Sequence, residues 1–207
     1  LDSLMFAYLW SPFKWLGKQF RFLQSNVYLG VLIVTGLAFL GLGFANQKIS
    51  SALRDALPLI LMSIALAVIL FAFSFRRSAQ KAWIYLLTSH LFIIAAVLLN
   101  TDHVNTIEIL FYISGVLLAF FLGYYCLQKV KVIDNDISLN QFHGYVYEQE
   151  TTGLLFLFAA IGMVGFPVTA AFVGIDVLFT YVQSGQAALI ILLALCLLFI
   201  ELSAFRI

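Results

Sequence analysis

Only a few polar side chains interrupt the long apolar runs of this sequence, and they are the candidates for chemistry. Placing a charged group in the core of a bilayer is costly, so such groups face the interior of a helix bundle, pair with one another, or are neutral. Where they occur inside membrane spans, they often mark an ion or proton path. The candidates for a proton or ion path here are Lys81, Ser89, His90, Asp176 and Glu201.

Asp176 is the strongest candidate, because its apolar segment is too long for one plain crossing. The segment 152–182 has 31 residues, whereas a transmembrane helix needs about 20. Pro167 removes a backbone donor and clashes with the preceding turn, so the pattern predicts a discontinuous helix with Gly165, Pro167 and Gly174 at its break. We expect Asp176 to be a buried carboxylate that binds and releases protons. The alternative is a packing carboxylate bonded to a hydroxyl or a lysine on a neighbouring chain.

The other candidates have open roles. His90 titrates near neutral pH in water and is expected either to relay protons, with Ser89 as a hydrogen-bonding neighbour, or to bond across helices. Lys81 precedes both of them in the same run. Glu201 is either a relay site or the partner of a basic residue elsewhere, whereas Arg206 is expected to reach the interface.

Composition places the chain in a membrane and excludes several functions. Of its 207 residues, 63% are hydrophobic and 10% are charged, against about 25% charged residues in soluble domains. A net charge of +1 does not indicate the excess of basic residues that nucleic-acid-binding proteins have. Cys126 and Cys196 have no metal-binding or redox spacing and are expected to be packing residues. We expect no metal, no cofactor, and no redox or hydrolytic centre, which leaves open whether the chain is part of an enzyme.

The hydropathy pattern predicts an all-α transmembrane bundle with about six crossings. They are 27–45, 56–75, 82–99, 107–127, 152–182 and 185–207, preceded by an amphipathic interfacial helix at 11–23. We divide the chain into a lead-in (1–26), a first crossing with an outer loop (27–55), and a five-helix unit (56–207). The chain begins at Leu1 rather than Met, so we expect it to be part of a longer polypeptide.

Charge placement gives the orientation. With six crossings, Lys48 and Arg54 lie on one side and nine basic residues lie on the other. Because loops rich in Lys and Arg stay on the cytoplasmic side, that second side is cytoplasmic or its equivalent. A bacterial cytoplasmic membrane or a mitochondrial inner membrane fits. The nine residues are Lys14, Lys18, Arg21, Arg76, Arg77, Lys81, Lys129, Lys131 and Arg206.

Three motifs in register resemble the antiporter-like membrane subunits of respiratory complex I, multisubunit cation/proton antiporters and related inorganic-carbon uptake systems. The stretch 81–90 is similar to the segment KR-x-x-AYS-x-x-S-H/Q of that family. Gly165-Phe166-Pro167, followed by Phe172 and Asp176, is similar to its broken helix. Phe205-Arg206 matches the aromatic-Arg pair that ends the next helix. The resemblance covers about three quarters of the chain.

The resemblance implies a repeat of five helices with a proton path, and it also shows departures. The family usually has lysine or glutamate where this chain has Ile175, and some members follow a lysine there with aspartate, as at Asp176. It often has histidine and lysine near Ser114 and Leu118. The sequence therefore leaves a functional relay and a degenerate structural subunit both open.

Three functional hypotheses follow. The first is a membrane subunit of a proton- or cation-translocating complex, with other membrane subunits, lipid and possibly a soluble coupling subunit as its partners. The second is a scaffold subunit of such a complex without an ion path. The third is an unrelated secondary transporter, which predicts a ligand-sized cavity beside Gly165 and Pro167.

Overall fold

A computed structural model describes residues 24–45, 51–101, 105–134, 137–140, 144–183 and 185–207, with the side chains of 51–55, 145 and 146 left out. Five helices in these ranges are long and apolar enough to cross a bilayer. The chain is therefore an all-α integral membrane protein. The five helices are α1 (Asn26–Phe44), α2 (Ser51–Ser74), α3 (Ala79–Asn100), α4 (Thr106–Asp134) and α8 (Ala187–Arg206).

Three shorter helices lie between α4 and α8. They are α5 (Tyr145–Glu148), α6 (Glu150–Val164) and α7 (Ala170–Thr180). The helices α6 and α7 together take the place of the predicted fifth crossing, so the predicted discontinuity is present. The predicted amphipathic helix at 11–23 lies outside the described residues.

Serine caps begin two of the membrane helices. The Ser25 hydroxyl accepts a hydrogen bond from the Val27 amide at α1, and the Ser78 hydroxyl accepts one from the Lys81 amide at α3. Each cap satisfies one of the backbone donors that a helix leaves open at its N-terminus.

The largest differences between the predicted spans and the observed helices are at α2 and α4. Helix α2 begins five residues earlier than predicted, and α4 ends seven residues later.

Helix α3 lies at the centre of the bundle. It packs against α1, α2, α4 and α8, and 83% of its most apolar stretch is buried inside the chain. A helix that is apolar all round is typical of such a central position. The indole of Trp83 fixes α3 to α4, because its Nε1–H donates to the Phe120 carbonyl over 3.0 Å.

Backbone contacts bring the basic ends of the helices together. The Ala79 amide donates to the Ile137 carbonyl over 3.0 Å, and the Leu139 amide donates to the Arg76 carbonyl over 2.8 Å. Arg206 donates to the Phe75 carbonyl over 3.2 Å. The ends of α2, α4 and α8 and the start of α3 therefore lie on one side, which we call the inner side. The opposite ends form the outer side.

Candidate functional site

The break between α6 and α7 begins at a glycine rather than at the proline. Gly165 has φ 74° and ends α6 in the left-handed conformation, which glycine adopts without steric cost. The Phe166 amide then donates back to the Ile161 carbonyl over 3.1 Å, as in a Schellman cap. Pro167 follows in a turn closed by the Thr169 amide and the Phe166 carbonyl at 2.8 Å. Pro167 thus shapes the turn, whereas Gly165 ends the helix.

The break lies between two short apolar helices, well away from the inner end of the bundle. Helix α6 has 15 residues and starts on the inner side, so Gly165 lies about 22 Å along the helix from that side at 1.5 Å per residue. The hydrocarbon core is about 30 Å thick. Non-helical backbone at this depth occurs only where protein covers it or where it lines a wet cavity.

Both halves of the broken helix pack closely against α4 through small residues. We call this line of contacts the seam. A Cβ atom at Gly115 would lie 2.5 Å from the Ala171 amide nitrogen, and one at Gly162 would lie 2.9 Å from the Ala119 Cβ. Gly174 contacts the side chain of Tyr112 with no room for a Cβ atom. Gly174, which the sequence placed at the break, therefore lies inside α7 as a packing position.

A buried histidine–tyrosine pair lies beside this seam. The His90 Nδ1 atom on α3 and the Tyr112 hydroxyl on α4 are 2.7 Å apart, and both residues are almost fully buried. The Met163 backbone, one residue before the end of α6, also approaches the imidazole. Within the described ranges the Nε2 atom has no well-formed hydrogen bond, and the Met163 backbone is a polar group beside the ring. A buried polar atom without a partner is rare in folded proteins and calls for an explanation.

The pair has the chemistry of a proton relay. In a neutral imidazole one nitrogen donates and the other accepts, so Nδ1 either donates to the Tyr112 oxygen or accepts from its hydroxyl. When one proton binds Nε2 and another leaves Nδ1, the imidazole changes from the first of these tautomers to the second. The arrangement therefore offers one bonded nitrogen and one open nitrogen in a low-dielectric setting.

The structure does not bring the predicted site residues together. Ser89 is buried beside His90, but its hydroxyl donates to the Leu86 carbonyl of its own helix over 2.6 Å. Lys81 is half-buried at the inner start of α3, and Glu201 is exposed on α8. Only His90 reaches the region of the broken helix.

Asp176 does not face the bundle interior, contrary to the expectation from the sequence. Its side chain is exposed, because Gly174 directs the opposite face of α7 onto α4. Two residues advance a helix by about 200°, which turns Asp176 outward. Ser114 and Leu118 also lie on an exposed face, that of α4.

A polar cluster on the outer side was missed by the sequence reasoning. The Tyr181 hydroxyl donates to the Glu108 carboxylate over 2.8 Å and accepts from the Asn105 amide over 2.9 Å. Asn105 also donates its side-chain amide to Glu108 over 2.9 Å. The cluster therefore ties the end of α7 to the start of α4. Nothing in the spacing of these residues predicts it, since they are 73 residues apart.

Two side-chain amides extend the cluster to α3 and α8. Asn100 and Gln186 form a reciprocal pair, with donor–acceptor distances of 2.8 and 2.9 Å. Asn100 also donates to the Tyr181 carbonyl over 3.1 Å. Four helix ends thus share one hydrogen-bonded network, which we call the outer polar cluster.

We expect Tyr181→Phe to lower the free energy of unfolding by about 1 kcal/mol, because it removes two hydrogen bonds at a partly exposed site. The measurement is chemical or thermal unfolding of the purified protein in detergent. Tyr125→Phe is the matched control, since that exposed tyrosine on α4 makes no hydrogen bond within the described ranges. Equal stability of the two variants would contradict a stabilising role for the cluster.

Comparisons with known proteins do not add to this geometry. No family model, no curated protein and no solved structure matches the chain. Among the described residues, no group of three or more His, Cys, Asp or Glu side chains is placed to bind a metal ion.

Proposed function

We propose that this chain is a membrane subunit of a proton- or cation-translocating complex, with the His90–Tyr112 pair as its central proton site. The observation that carries the proposal is a fully buried imidazole whose Nδ1 is bonded to a hydroxyl and whose Nε2 has no well-formed hydrogen bond, with the Met163 backbone beside the ring. The pair lies where α4 supports the two halves of a discontinuous helix. Ionisable groups at this depth are costly and are typical of ion paths.

The proposed transfer uses two atoms of one ring. A proton from the inner side binds Nε2, and the proton on Nδ1 passes to the Tyr112 oxygen as the hydroxyl gives up its own proton toward the outer side. The ring returns to its first state by reorientation of the imidazole and of the Tyr112 hydroxyl, without a proton passing back. The pair carries one positive charge from the binding of a proton at Nε2 until the Tyr112 proton leaves, and the completed transfer leaves it neutral.

The outer half of the path follows α4. Glu108 and Tyr112 are four residues apart on this helix, so they lie on the same face one turn from each other. The Glu108 carboxylate is already bonded to the Tyr181 hydroxyl in the outer polar cluster. A proton that leaves Tyr112 therefore has a carboxylate one turn away, at the end of the helix that meets the outer surface.

The proposed entry of the proton to the imidazole lies at the broken helix. The Met163 backbone lies beside the imidazole, and the regular helical hydrogen bonds of α6 stop two residues later. Backbone groups that a break frees bind water in membrane proteins that carry ions. We infer that water at the break delivers the proton to Nε2.

The test is His90→Gln in the assembled complex. Glutamine retains a hydrogen-bonding group but does not titrate, so proton translocation should fall by about tenfold or more while the complex still assembles. Translocation is measured in sealed membrane vesicles with a pH-sensitive dye, and assembly by native electrophoresis.

Two controls accompany this test. Ser89→Ala removes a neighbouring buried hydroxyl that bonds only its own helix, and Asp176→Asn removes the carboxylate expected from the sequence to be central. Ser89→Ala should translocate normally. Asp176→Asn should translocate whenever it assembles. Wild-type translocation by His90→Gln would overturn the assignment of the relay.

A scaffold subunit without an ion path is the second candidate. It is favoured by the apolar surroundings of the pair, because Phe92, Ile93 and Ile94 beside His90 on α3 are fully buried. On this hypothesis the pair is a static bond between α3 and α4. His90→Gln would then lower stability and leave translocation by the complex unchanged.

The solute-transporter hypothesis fits the break less well. It needs a ligand-sized space beside Gly165 and Pro167, but the Ile175 side chain occupies the space next to Gly165. The coupling partner of the complex, whether a redox module, a counter-ion or a soluble enzyme, is left open by this proposal.

A further inference from the structure

A polar cavity of about 370 Å³ lies on the inner side, where α4 meets the start of α6. This volume is within the range of small-molecule sites in proteins. Its lining includes Lys129 of α4, Glu148 at the end of α5, and Glu150, Thr151 and Thr152 in the first turn of α6. The cavity therefore brings together two helices and the short α5.

The first turn of α6 lacks a side-chain cap. Gln149 is at the N-cap position, but its side chain makes no hydrogen bond there. The first amides of a helix have no partners within the helix, and its N-terminus carries a partial positive charge. The start of α6 therefore favours an acceptor with negative charge, such as a phosphate or carboxylate oxygen.

Thr152 gives a second, independent indication of a ligand. It lines the cavity although it is only 3% exposed, and its hydroxyl makes no hydrogen bond with the described residues. By contrast, the hydroxyls of Thr88 and Thr180 donate to carbonyls of their own helices over 2.9 and 2.8 Å. Buried hydroxyls normally have such a partner. The Thr152 hydroxyl is therefore open to a molecule in the cavity.

Gln80 of α3 adds a buried donor near Thr152. The rings of Trp83 on α3 and Phe156 on α6 have their centres 5.3 Å apart. Gln80 precedes Trp83 by three residues and Thr152 precedes Phe156 by four, so both lie one turn nearer the inner side on the faces that approach each other. Gln80 is 7% exposed, and its Nε2 atom has no partner in the described part of the chain.

The charged side chains of the cavity carry both signs. Lys129 is a cation, whereas Glu148 and Glu150 are anions. All three are exposed, and none forms an ion pair with a described residue. Two carboxylates repel a simple anion, and Lys129 and the N-terminus of α6 repel a metal cation. A molecule that carries both signs suits all of these groups.

We propose that this cavity binds a zwitterion with a primary ammonium and a phosphate, as in phosphoethanolamine. The phosphate accepts hydrogen bonds from the Thr152 hydroxyl, from the first amides of α6 and from Lys129, and the ammonium donates to Glu148 and Glu150. A phosphate is favoured over a carboxylate because lysine and helix N-termini are typical phosphate-binding groups. The group belongs either to a phosphatidylethanolamine lipid or to a soluble molecule.

This site is separate from the proposed proton path. Lys129 lies 17 residues beyond Tyr112 on α4, which is about 25 Å at 1.5 Å per residue. The inference therefore goes beyond the proposed function and does not depend on proton transfer at His90.

The first experiment measures which lipid the purified protein retains. Phosphatidylethanolamine, phosphatidylcholine and phosphatidylglycerol with the same acyl chains are added in equal amounts in detergent, and bound lipid is measured by native mass spectrometry. Phosphatidylethanolamine should be retained in preference, because phosphatidylcholine has no ammonium N–H and phosphatidylglycerol has no cation.

A second arm titrates soluble phosphoethanolamine into the protein by calorimetry, and it distinguishes the two sources of the ligand. Lipid preference without binding of the soluble compound assigns a membrane lipid. Saturable binding of the soluble compound without lipid preference assigns a soluble ligand. If both are seen, the headgroup alone is sufficient for recognition.

Two substitutions test the contacts. Thr152→Val keeps the shape of the side chain and removes the hydroxyl, so affinity should fall by about tenfold or more. Glu148→Gln, at an exposed position, should remove most of the preference for phosphatidylethanolamine over phosphatidylglycerol. Thr180→Val is the matched control, since its hydroxyl bonds its own helix on the outer side, and it should bind as the wild-type chain does. Unfolding midpoints show whether each variant is folded.

Three results would overturn the proposal. They are the absence of saturable binding in both arms, equal retention of the three lipids without binding of phosphoethanolamine, and binding that neither Thr152→Val nor Glu148→Gln weakens. The His90→Gln variant separates the two proposals, because it should lose translocation and bind the ligand normally.

Discussion

Replacing Gly174 with leucine is expected to prevent α7 from docking on α4. A Cβ atom at Gly174 already collides with the Cβ atom and ring of Tyr112, and that ring is held by its bond to His90. Overpacking a well-packed core costs about 1–3 kcal/mol and sometimes more. We expect a loss at or above the upper end, because neither helix can shift without disturbing the neighbouring contact of Gly115 with Ala171.

The measurement is the yield of folded protein in detergent, together with its unfolding midpoint. Gly30→Leu is the matched control, since Gly30 also lies in a membrane helix but has no heavy atom within 4 Å of an added Cβ. The control should fold as well as the wild-type chain. If Gly174→Leu also folds normally, the seam between α4 and α7 is not the contact that positions the broken helix.

The sequence predicts the number and type of elements well, because chain length and hydropathy determine them. A segment of 31 residues with a proline inside it is longer than the about 20 that one crossing needs and contains a helix breaker, and the structure divides it where Gly165, Phe166 and Pro167 lie. Which of these residues ends the helix is not visible in the sequence. Glycine at a left-handed cap and proline in the next turn both disrupt a helix, and only the backbone conformation separates them.

The outward direction of Asp176 could not be predicted for a different reason. In a soluble helix the polar face reveals which side is exposed, but α7 is apolar on nearly all sides. Asp176 is then the only residue that distinguishes one face of α7 from the others. The expectation that charged groups face the bundle interior therefore predicts that it points inward. The choice is made instead by Gly174, whose missing side chain allows α7 to lie against Tyr112. Small residues at helix contacts are the better guide in membrane bundles.

The partner of His90 could not be predicted from the sequence either. The chain has nine tyrosines. The spacing of 22 residues between His90 and Tyr112 does not distinguish Tyr112 from the other eight. The contact arises because α3 and α4 are neighbours and α4 approaches the broken helix closely. Once this packing is known, Tyr112 is the partner of His90, and Glu108 lies one turn from Tyr112 on the same helix.

Tyr112→Phe should separate a proton relay from a static bond at this site. Phenylalanine keeps the ring that packs against Gly174 and deletes the hydroxyl that bonds Nδ1. The buried Nδ1 atom of His90 then has lost its hydroxyl partner, which costs about 1–3 kcal/mol of unfolding free energy. If the pair relays protons, translocation by the complex should also fall by about tenfold or more, as measured in sealed vesicles.

The double variant His90→Gln with Tyr112→Phe completes the argument. Two groups that act in series on one path should lose no more activity together than the more damaging single change, whereas independent contributions should multiply. Normal translocation by Tyr112→Phe, combined with lower stability, would instead establish a structural pair. In that case Nε2 of His90 has no role in transport, and the chain is best understood as a scaffold whose broken helix serves assembly.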